Sequence, residues 1–438
     1  MFWIKSKTVK EYVKEANAAY QQENYSYAAK IAQKGLKKYP QNTELLLLLA
    51  NSFYVKNDII KAEKYYQKIL NIDSTNYAAL VNLAETYILQ KKYDLALQYA
   101  SKLNENYYNY FICGKVAFEQ EDFAEAEQYF DVAISKNNND FWVWNYLSQA
   151  AQKNTHYSKA LDAALRAVET SDGADSQHMN FAYSLYEIAL EKGQDYVDSW
   201  LQKWHNKYSE NAIVKQSWYA FNPSNFYQRS SEQYIKKTFD EFADSFEDTL
   251  SQLEYRAPKL IAEKIKENIS QFKSKKISIL DVGCGTGLCG VELKKILPKG
   301  GIDGVDLSSQ MLNCAKQKNI YKSLFCADVE TFLCQHKKYY NLIVAADVFT
   351  YFGDLEKVIK GVFFSLEKDG LFVFSISVAD DENLTWQQHL SGRFLHSKKY
   401  IKKCLSDCGF SSIKHTQCVL RKEGNKNVIG LIFSAIKT

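Results

Sequence analysis

A chain of 438 residues exceeds one ordinary hydrophobic core, so two or three domains are expected. With 46% apolar and 24% charged residues it has the composition of a globular protein in water, and we find neither a membrane-length apolar run nor a signal-peptide core at its N-terminus. The net charge of +4 gives no reason to expect nucleic acid or an anionic membrane as a partner, and the nine cysteines follow no zinc or disulfide spacing. We therefore expect a cytoplasmic protein without a metal site.

The first half of the chain repeats itself. Alanines recur at spacings of 34, 34, 30 and 34 residues, at Ala28, Ala62, Ala96, Ala126 and Ala160. A small residue also stands twelve positions before each of them, and small residues at fixed points let two antiparallel helices pack closely. A period of 34 with this pattern resembles the tetratricopeptide repeat. The resemblance implies an all-α solenoid of about five repeats in residues 1–172, with a concave face that binds a protein partner or protein substrate.

The repeat pattern stops at residue 172. Residues 173–222 keep apolar residues at helical spacing, which predicts capping helices and a linker. A turn-rich junction at residues 221–225 then predicts a second domain over residues 223–438.

Aromatic residues at helical spacing stand near the start of this second domain, at Phe239, Phe242 and Phe246. The string Tyr255-Arg256-Ala257-Pro258 follows them. A planar guanidinium can bind a carboxylate through two parallel hydrogen bonds. Arg256 is therefore a candidate carboxylate ligand, and the alternative is a surface arginine beside a core tyrosine.

The string from Ile279 to Gly287 reads I-L-D-V-G-C-G-T-G. An apolar run of strand type ends in the acid Asp281, and glycines then occupy every second position. Glycine permits a tight turn and a close approach of the backbone to a ligand, and the helix expected from about Leu288 points its free N–H groups at that turn. The pattern predicts a nucleotide-type cofactor cradle. A dinucleotide fingerprint requires a third glycine where this chain has Leu288, which disfavours NAD.

From residue 277 onward, strand-like and helical patterns alternate, which predicts a doubly wound α/β sheet whose last two strands form an antiparallel hairpin. Acids follow three successive strands, at Asp306, Asp328 and Asp347. Ligands of such sheets bind beyond the carboxyl ends of the strands, so we expect the three acids at one site. Carboxylates there can accept hydrogen bonds from ribose hydroxyls or from an exocyclic amine.

The string Ser391–Ser397 reads S-G-R-F-L-H-S and contains His396. Histidine has an ordinary pKa that suits proton transfer near neutral pH, so His396 is a candidate general base. Alternatively, His396 packs next to Ser397, which is placed to cap the following helix.

These motifs resemble those of class I S-adenosylmethionine-dependent methyltransferases, and in particular a bacterial group in which tetratricopeptide repeats precede such a domain. The glycine string resembles motif I of the class, and the phenylalanine, Tyr-Arg-Ala-Pro and histidine strings have counterparts in the group. The resemblance implies a Rossmann-like, seven-stranded methyltransferase domain with S-adenosylmethionine as its cofactor.

Within that resemblance, Asp306 would contact the ribose, Asp328 the adenine amine, and Asp281 with the glycines the methionine end. The residues implied in cofactor binding are Asp281, Gly283, Cys284, Gly285, Gly287, Asp306, Leu307, Met311, Asp328, Val329, Asp347 and Arg256.

Three functions are compatible with these patterns. We expect a methyltransferase that acts on a protein recruited through the repeats. A second possibility is a small-molecule methyltransferase of quinone or acyl-carrier type whose repeats mediate assembly. The third is a non-catalytic scaffold, against which the complete glycine motif and the three acids argue. The sequence names neither the acceptor nor the atom that is methylated.

Overall fold

The structure, a computed structural model, describes residues 7–223, 227–268, 277–335, 340–379, 381–423 and 426–438. The chain divides into two compact units after Gln177. Of the junction predicted at residues 221–225, residues 224 and 225 lie outside the described residues. The division into repeats, capping helices and methyltransferase domain after residues 172 and 222 stays a prediction.

The first unit is a succession of paired helices. They are α1 (Val9–Gln21), α2 (Tyr25–Lys38), α3 (Thr43–Val55), α4 (Ile59–Ile72), α5 (Tyr77–Leu89), α6 (Tyr93–Ala100), α7 (Tyr107–Glu119), α8 (Phe123–Lys136), α9 (Phe141–Lys153) and α10 (Tyr157–Thr170). Each repeated alanine lies on the second helix of its pair and is fully buried. The predicted helical repeat is confirmed.

The backbone of the turns repeats as well. Residues with positive φ, between 57° and 64°, keep the period of the alanines at Glu23, Asn57, Lys91, Glu121 and Thr155. None of them is glycine, although the left-handed region costs an L residue about 1–2 kcal/mol. Only Asn57 is of a type that adopts this region readily, so helix packing across each pair determines the turn at the other four positions.

Two further details follow from the close packing. A Cβ added to Gly114 would lie 2.5 Å from Cε1 of Phe130, so the small residue at this point is required by contact between α7 and α8. The one 30-residue spacing arises because α6 ends at Ala100 and a 3₁₀ turn, Ser101–Leu103, replaces its last turns.

The remaining helices are α11 (Asp175–Lys192), α12 (Gln194–Tyr208), α13 (Ala212–Phe221), α14 (Glu232–Phe242), α15 (Phe246–Gln252), α16 (Ala257–Lys266), α17 (Leu288–Ile296), α18 (Ser309–Gln317), α19 (Val329–Gln335), α20 (Glu356–Ser365) and α21 (Lys398–Asp407). The strands are β1 (Ser278–Val282), β2 (Gly301–Asp306), β3 (Tyr321–Cys326), β4 (Tyr340–Ala345), β5 (Leu366–Ser377), β6 (Trp386–Gln388), β7 (Phe394–His396), β8 (Phe410–Glu423) and β9 (Lys426–Lys437).

Seven of these strands form one sheet in the order β3-β2-β1-β4-β5-β9-β8. The first five are parallel, and β9 runs antiparallel to both of its neighbours. Successive side chains point to opposite faces: Leu280 and Ile343 pack with α20 and α21, whereas Ile279 and Leu342 pack with α16 and α17. The predicted α/β sheet with its closing hairpin is confirmed. The separate β6–β7 pair was not predicted.

Among the described residues, no helix combines the length and apolar content needed to cross a membrane. The same residues contain no group of three or more His, Cys, Asp or Glu side chains that could hold a metal ion.

Candidate active site

The turn after β1 is built from glycines in the left-handed region. Gly283, Gly285 and Gly287 have φ angles of 59°, 52° and 93°. A Cβ on Gly283 would lie 2.4 Å from Cγ2 of Val348, whereas a Cβ on Gly285 would meet only the ring of Phe246, at 3.9 Å. The space beside Gly285 is therefore wide enough for a ligand to approach the backbone.

Asp306 is the last residue of β2 and lies at this turn. Its Oδ2 accepts a hydrogen bond from the N–H of Gly285 at 2.8 Å, and its Oδ1 accepts one from the N–H of Ser308 at 2.9 Å. Burial raises the pKa of Asp306, and these backbone donors partly offset the effect. The strand end and the glycine turn thus hold the carboxylate in one orientation.

Asp328 follows β3 and forms an ion pair with Arg229. Nη1 of Arg229 also lies 3.5 Å from Oε2 of Glu330, and its guanidinium carbon lies 4.4 Å from the ring centre of Phe352. Burial alone would raise the pKa of Asp328, but the guanidinium outweighs that cost and the pKa is lowered. Asp328 is therefore ionised at neutral pH.

Asp347 follows β4 and has a φ of 56°. Its N–H donates to Oγ of Ser375 at 2.8 Å, and that hydroxyl donates back to Oδ1 of Asp347 at 3.0 Å. Nη1 of Arg421 donates to Oδ2 of Asp347 at 3.0 Å, and Arg421 is only 4% exposed. Both carboxylate oxygens are thus bonded, next to the Val348 side chain that abuts Gly283.

These groups line one cavity that is open to solvent, and concave sites of this kind are where small ligands bind. Apolar side chains from α14, α15 and the segment after them form another part of the wall: Ile235, Phe239, Phe246, Leu250, Leu253 and Tyr255. Predicted cofactor residues that line the cavity are Gly283, Gly285, Asp306, Leu307, Met311, Asp328, Val329 and Asp347. Their contact with a cofactor stays a prediction.

Four predicted cofactor residues, all within the described part of the chain, lie outside this wall. Asp281 is fully buried in β1 and accepts a hydrogen bond from Oη of Tyr321 at 2.7 Å. Burial raises its pKa to about 7. Cys284 is also buried, and burial raises the pKa of its thiol. Gly287 is the N-cap of α17. These three residues therefore support the glycine turn without lining the cavity.

Arg256 is the fourth. It is the N-cap residue of α16, and its N–H donates to the carbonyl of Leu420 at 2.8 Å. That bond places Arg256 beside the chain segment that carries Arg421. Of these two arginines, Arg421 lines the cavity as the described residues define it, and Arg256 does not.

His396, the last residue of β7, is fully buried and is not part of the cavity wall as the described residues define it. Its Nε2 donates to the carbonyl of Gly353 at 3.1 Å. Burial lowers the pKa of His396 to about 4, so the ring is neutral near pH 7. Ser397 caps α21, with its Oγ accepting from the N–H of Tyr400 at 3.2 Å. The role of His396 as a base stays a prediction.

Sequence reasoning assigned no role to three arginines that line the cavity, Arg229, Arg393 and Arg421. Arg229 belongs to no motif. Backbone hydrogen bonds bring it into the wall, because the neighbouring Ser230 donates to the carbonyl of Tyr351 at 2.9 Å. Arg393 stands in the string that drew attention to His396. The signal for Arg421 is an arginine within a run of strand type.

Comparison with known proteins agrees with this architecture. Residues 253–415 match a family model described as a methyltransferase domain, and residues 13–77 match one described as a tetratricopeptide repeat. The chain therefore carries tetratricopeptide repeats followed by a methyltransferase domain.

Two curated relatives are malonyl-[acyl-carrier protein] O-methyltransferases. The protein from Priestia megaterium is 33% identical over 147 residues, which are 33% of this chain and 52% of the relative. The protein from Bacillus anthracis is 34% identical over 101 residues, 23% of this chain and 37% of the relative. The chain thus spans about half or less of the curated relatives it matches.

A solved methyltransferase from Thermotoga maritima aligns with 47% of this chain and 100% of its own length, at 15% identity and a TM-score of 0.35.

Proposed function

We propose that this chain is an S-adenosylmethionine-dependent methyltransferase. The observation that carries the proposal is Asp306, a carboxylate at the end of β2 that is held by Gly285 N–H in the wall of a cavity. In an open α/β sheet, a carboxylate at this place can accept hydrogen bonds from ribose hydroxyls. The matched methyltransferase domain and the named activity of the curated relatives support the same function.

The residues present fit the cofactor. Asp306 would hold the ribose, and Asp328 would accept a hydrogen bond from the adenine amine, with Met311 supplying an apolar surface. The open space beside Gly285, which has no Cβ to fill it, is the cradle that such a ligand requires.

When bound, S-adenosylmethionine supplies a methyl group on a positively charged sulfur for in-line displacement. The protein contributes mainly alignment of the acceptor with that methyl group. Phe239, Phe246 and Leu250 present apolar surface to the cavity, which lowers the local polarity and strengthens nearby electrostatic interactions. Burial raises the pKa of the Tyr255 hydroxyl well above its ordinary value, which further favours its protonated form.

We infer that the acceptor reaches the cavity on a protein. Tetratricopeptide repeats support this inference because stacked helical repeats present extended surfaces for protein segments. In the first version the acceptor is a side chain of the recruited protein, and the enzyme resides in the cytoplasm.

A second version is favoured by the relatives, which are named for O-methylation of a malonyl group on an acyl-carrier protein. The acceptor would then be a carrier-bound acid, and Arg393 in the cavity wall offers a cation for it.

Methyl transfer from a labelled cofactor tests the proposal. The full chain would be incubated with a cell lysate and S-adenosylmethionine that carries a deuterated methyl group, and mass spectrometry would locate the label. We expect label on a protein side chain in the first version and on a carrier-bound acid in the second.

The matched variants are Asp306→Ala and Asp407→Ala, the latter an exposed acid at the end of α21. A hydrogen bond to a charged group contributes about 1.5–3 kcal/mol, so Asp306→Ala should weaken cofactor binding by about tenfold or more while Asp407→Ala should not. Unchanged affinity in Asp306→Ala, measured by calorimetry, would remove the observation on which the proposal rests.

A further inference from the structure

The polar groups of the cavity follow the order of the strands. Asp328 follows β3, Asp306 ends β2, the glycine turn follows β1 and Asp347 follows β4, and the sheet runs β3-β2-β1-β4. The groups of S-adenosylmethionine also follow one another in a line: adenine, then ribose, then an amino-acid end that carries an ammonium and a carboxylate. If β3 and β2 hold the adenosine half, as the proposed function requires, the amino-acid end lies toward β4.

The side chains beyond the end of β4 carry opposite charges. Asp347 and Arg421 are 3.0 Å apart at Oδ2 and Nη1, and both line the cavity. Their side chains are only 17% and 5% exposed. Val348, the residue after Asp347, abuts Gly283, so this ion pair lies directly beside the glycine turn.

An irregularity in β8 accompanies Arg421 at this point. The pairing of β8 with β9 shifts register between Val419 and Arg421, and such a shift re-aims the side chains that follow it. Leu420, between them, accepts the N–H of Arg256. The two arginines therefore belong to adjoining segments, and the one in the cavity wall is Arg421.

We propose that Asp347 and Arg421 together bind the amino-acid end of the cofactor, with Asp347 receiving the ammonium and Arg421 the carboxylate. A zwitterion adds one charge of each sign, so each protein charge gains an opposite partner and no unpaired charge is buried. The planar guanidinium also matches the geometry of a carboxylate. The inference rests on the proposed function, and it moves the carboxylate contact from Arg256 to Arg421.

Calorimetry with three ligands on the full chain tests the pair. S-adenosylhomocysteine carries both charged groups, its decarboxylated analogue keeps only the ammonium, and methylthioadenosine lacks both. Arg421→Gln should weaken the binding of S-adenosylhomocysteine by about tenfold or more. The same variant should bind the decarboxylated analogue at least as tightly as the wild type does. Asp347→Asn should weaken the decarboxylated analogue by a similar factor. Both variants should bind methylthioadenosine like the wild type, which also shows that the site is folded.

Arg256→Gln is the matched control and should bind all three ligands like the wild type. Arg421→Lys keeps the positive charge but lacks the planar guanidinium. Its loss of affinity for S-adenosylhomocysteine should therefore be smaller than that of Arg421→Gln. An equal loss for all three ligands in Arg421→Gln, or a selective loss in Arg256→Gln, would overturn the assignment. A wild-type chain that binds none of the ligands would instead overturn the proposed function.

Discussion

At the residue scale, two buried titratable side chains near the cavity respond to pH with opposite signs. Asp281 has a pKa raised to about 7 and His396 one lowered to about 4, both because burial disfavours the charged form. Each shift couples the stability of the fold to pH over a separate range.

For Asp281 the folded pKa of about 7 lies above the value of about 3.9 in an unfolded chain. Its contribution to stability is present below about pH 4 and is lost as pH rises through about 7. Between these pH values the folded state holds a proton that the unfolded state has released, so a rise in pH favours unfolding. Asp281→Asn removes this dependence. Between about pH 4 and pH 8, the free energy of unfolding should shift in favour of the variant, relative to wild type, by up to about 4 kcal/mol. Urea unfolding at both pH values measures the shift, and parallel pH profiles would contradict it.

For His396 the folded pKa lies below the ordinary value of 6.5, so its contribution is present above about pH 6.5 and is lost as pH falls toward about 4. His396→Gln should reduce this acid sensitivity of the free energy of unfolding. Because His396 lies outside the described cavity wall, turnover near pH 7 should stay within a few-fold of wild type. A positioned general base contributes about 10²–10⁴-fold, so a loss of that size with unchanged cofactor affinity would restore His396 as the base. His415→Gln, on β8 and outside the described cavity wall, is the control for turnover.

At the scale of elements, hydrogen bonds join α13 to two segments that contribute residues to the cavity wall. Gln216 of α13 is 1% exposed, and its Nε2 donates to Oγ of Ser230 at 2.9 Å and to the carbonyl of Gly392 at 2.6 Å. The residues next to these acceptors, Arg229 and Arg393, both line the cavity. A helix that precedes the predicted methyltransferase domain thus positions side chains of the site.

Gln216→Ala should therefore affect both stability and binding. The substitution removes the partner of the buried Ser230 hydroxyl, at a cost of about 1–3 kcal/mol, and releases both segments from α13. We expect a lower melting temperature and weaker binding of S-adenosylhomocysteine, measured by calorimetry. Gln202→Ala removes an exposed glutamine of α12 and is the control. Wild-type affinity in Gln216→Ala would show that α13 does not position the cavity.

At the scale of the whole molecule, every described residue of the cavity wall lies in the unit after Gln177. Residues 178–438 alone should therefore bind S-adenosylhomocysteine as tightly as the full chain. Residues 231–438 should bind it more weakly, because they lack Arg229 and the Gln216 contacts.

The same truncation tests recruitment by the repeats. If they recruit the acceptor, residues 178–438 should lose methylation of the natural target while keeping cofactor affinity, because affinity from a remote surface is removed and the cofactor cavity is untouched. A labelling assay with both proteins measures this. A truncated protein that methylates the target as fast as the full chain would assign the repeats to another role.

The sequence by itself determined the helical repeat, the glycine turn and the strand-end acids, because these depend on short-range patterns. Alanines at a fixed period bury one face of each helix pair, glycines at Gly283 and Gly285 permit left-handed backbone, and alternating strand and helix patterns bring strand ends to one edge. Such signals are local, and they predicted the fold and eight of the residues that line the cavity.

Only the tertiary structure decided which charges meet. Arg229 pairs with Asp328 across 99 positions of sequence, and Arg421 pairs with Asp347 across 74. Local patterns did not decide between Arg421, which lines the cavity, and Arg256, which stands at the N-cap position of α16. The path of the chain and the burial of each side chain settle such pairings, because the strength of an ion pair depends on distance and on exclusion of water.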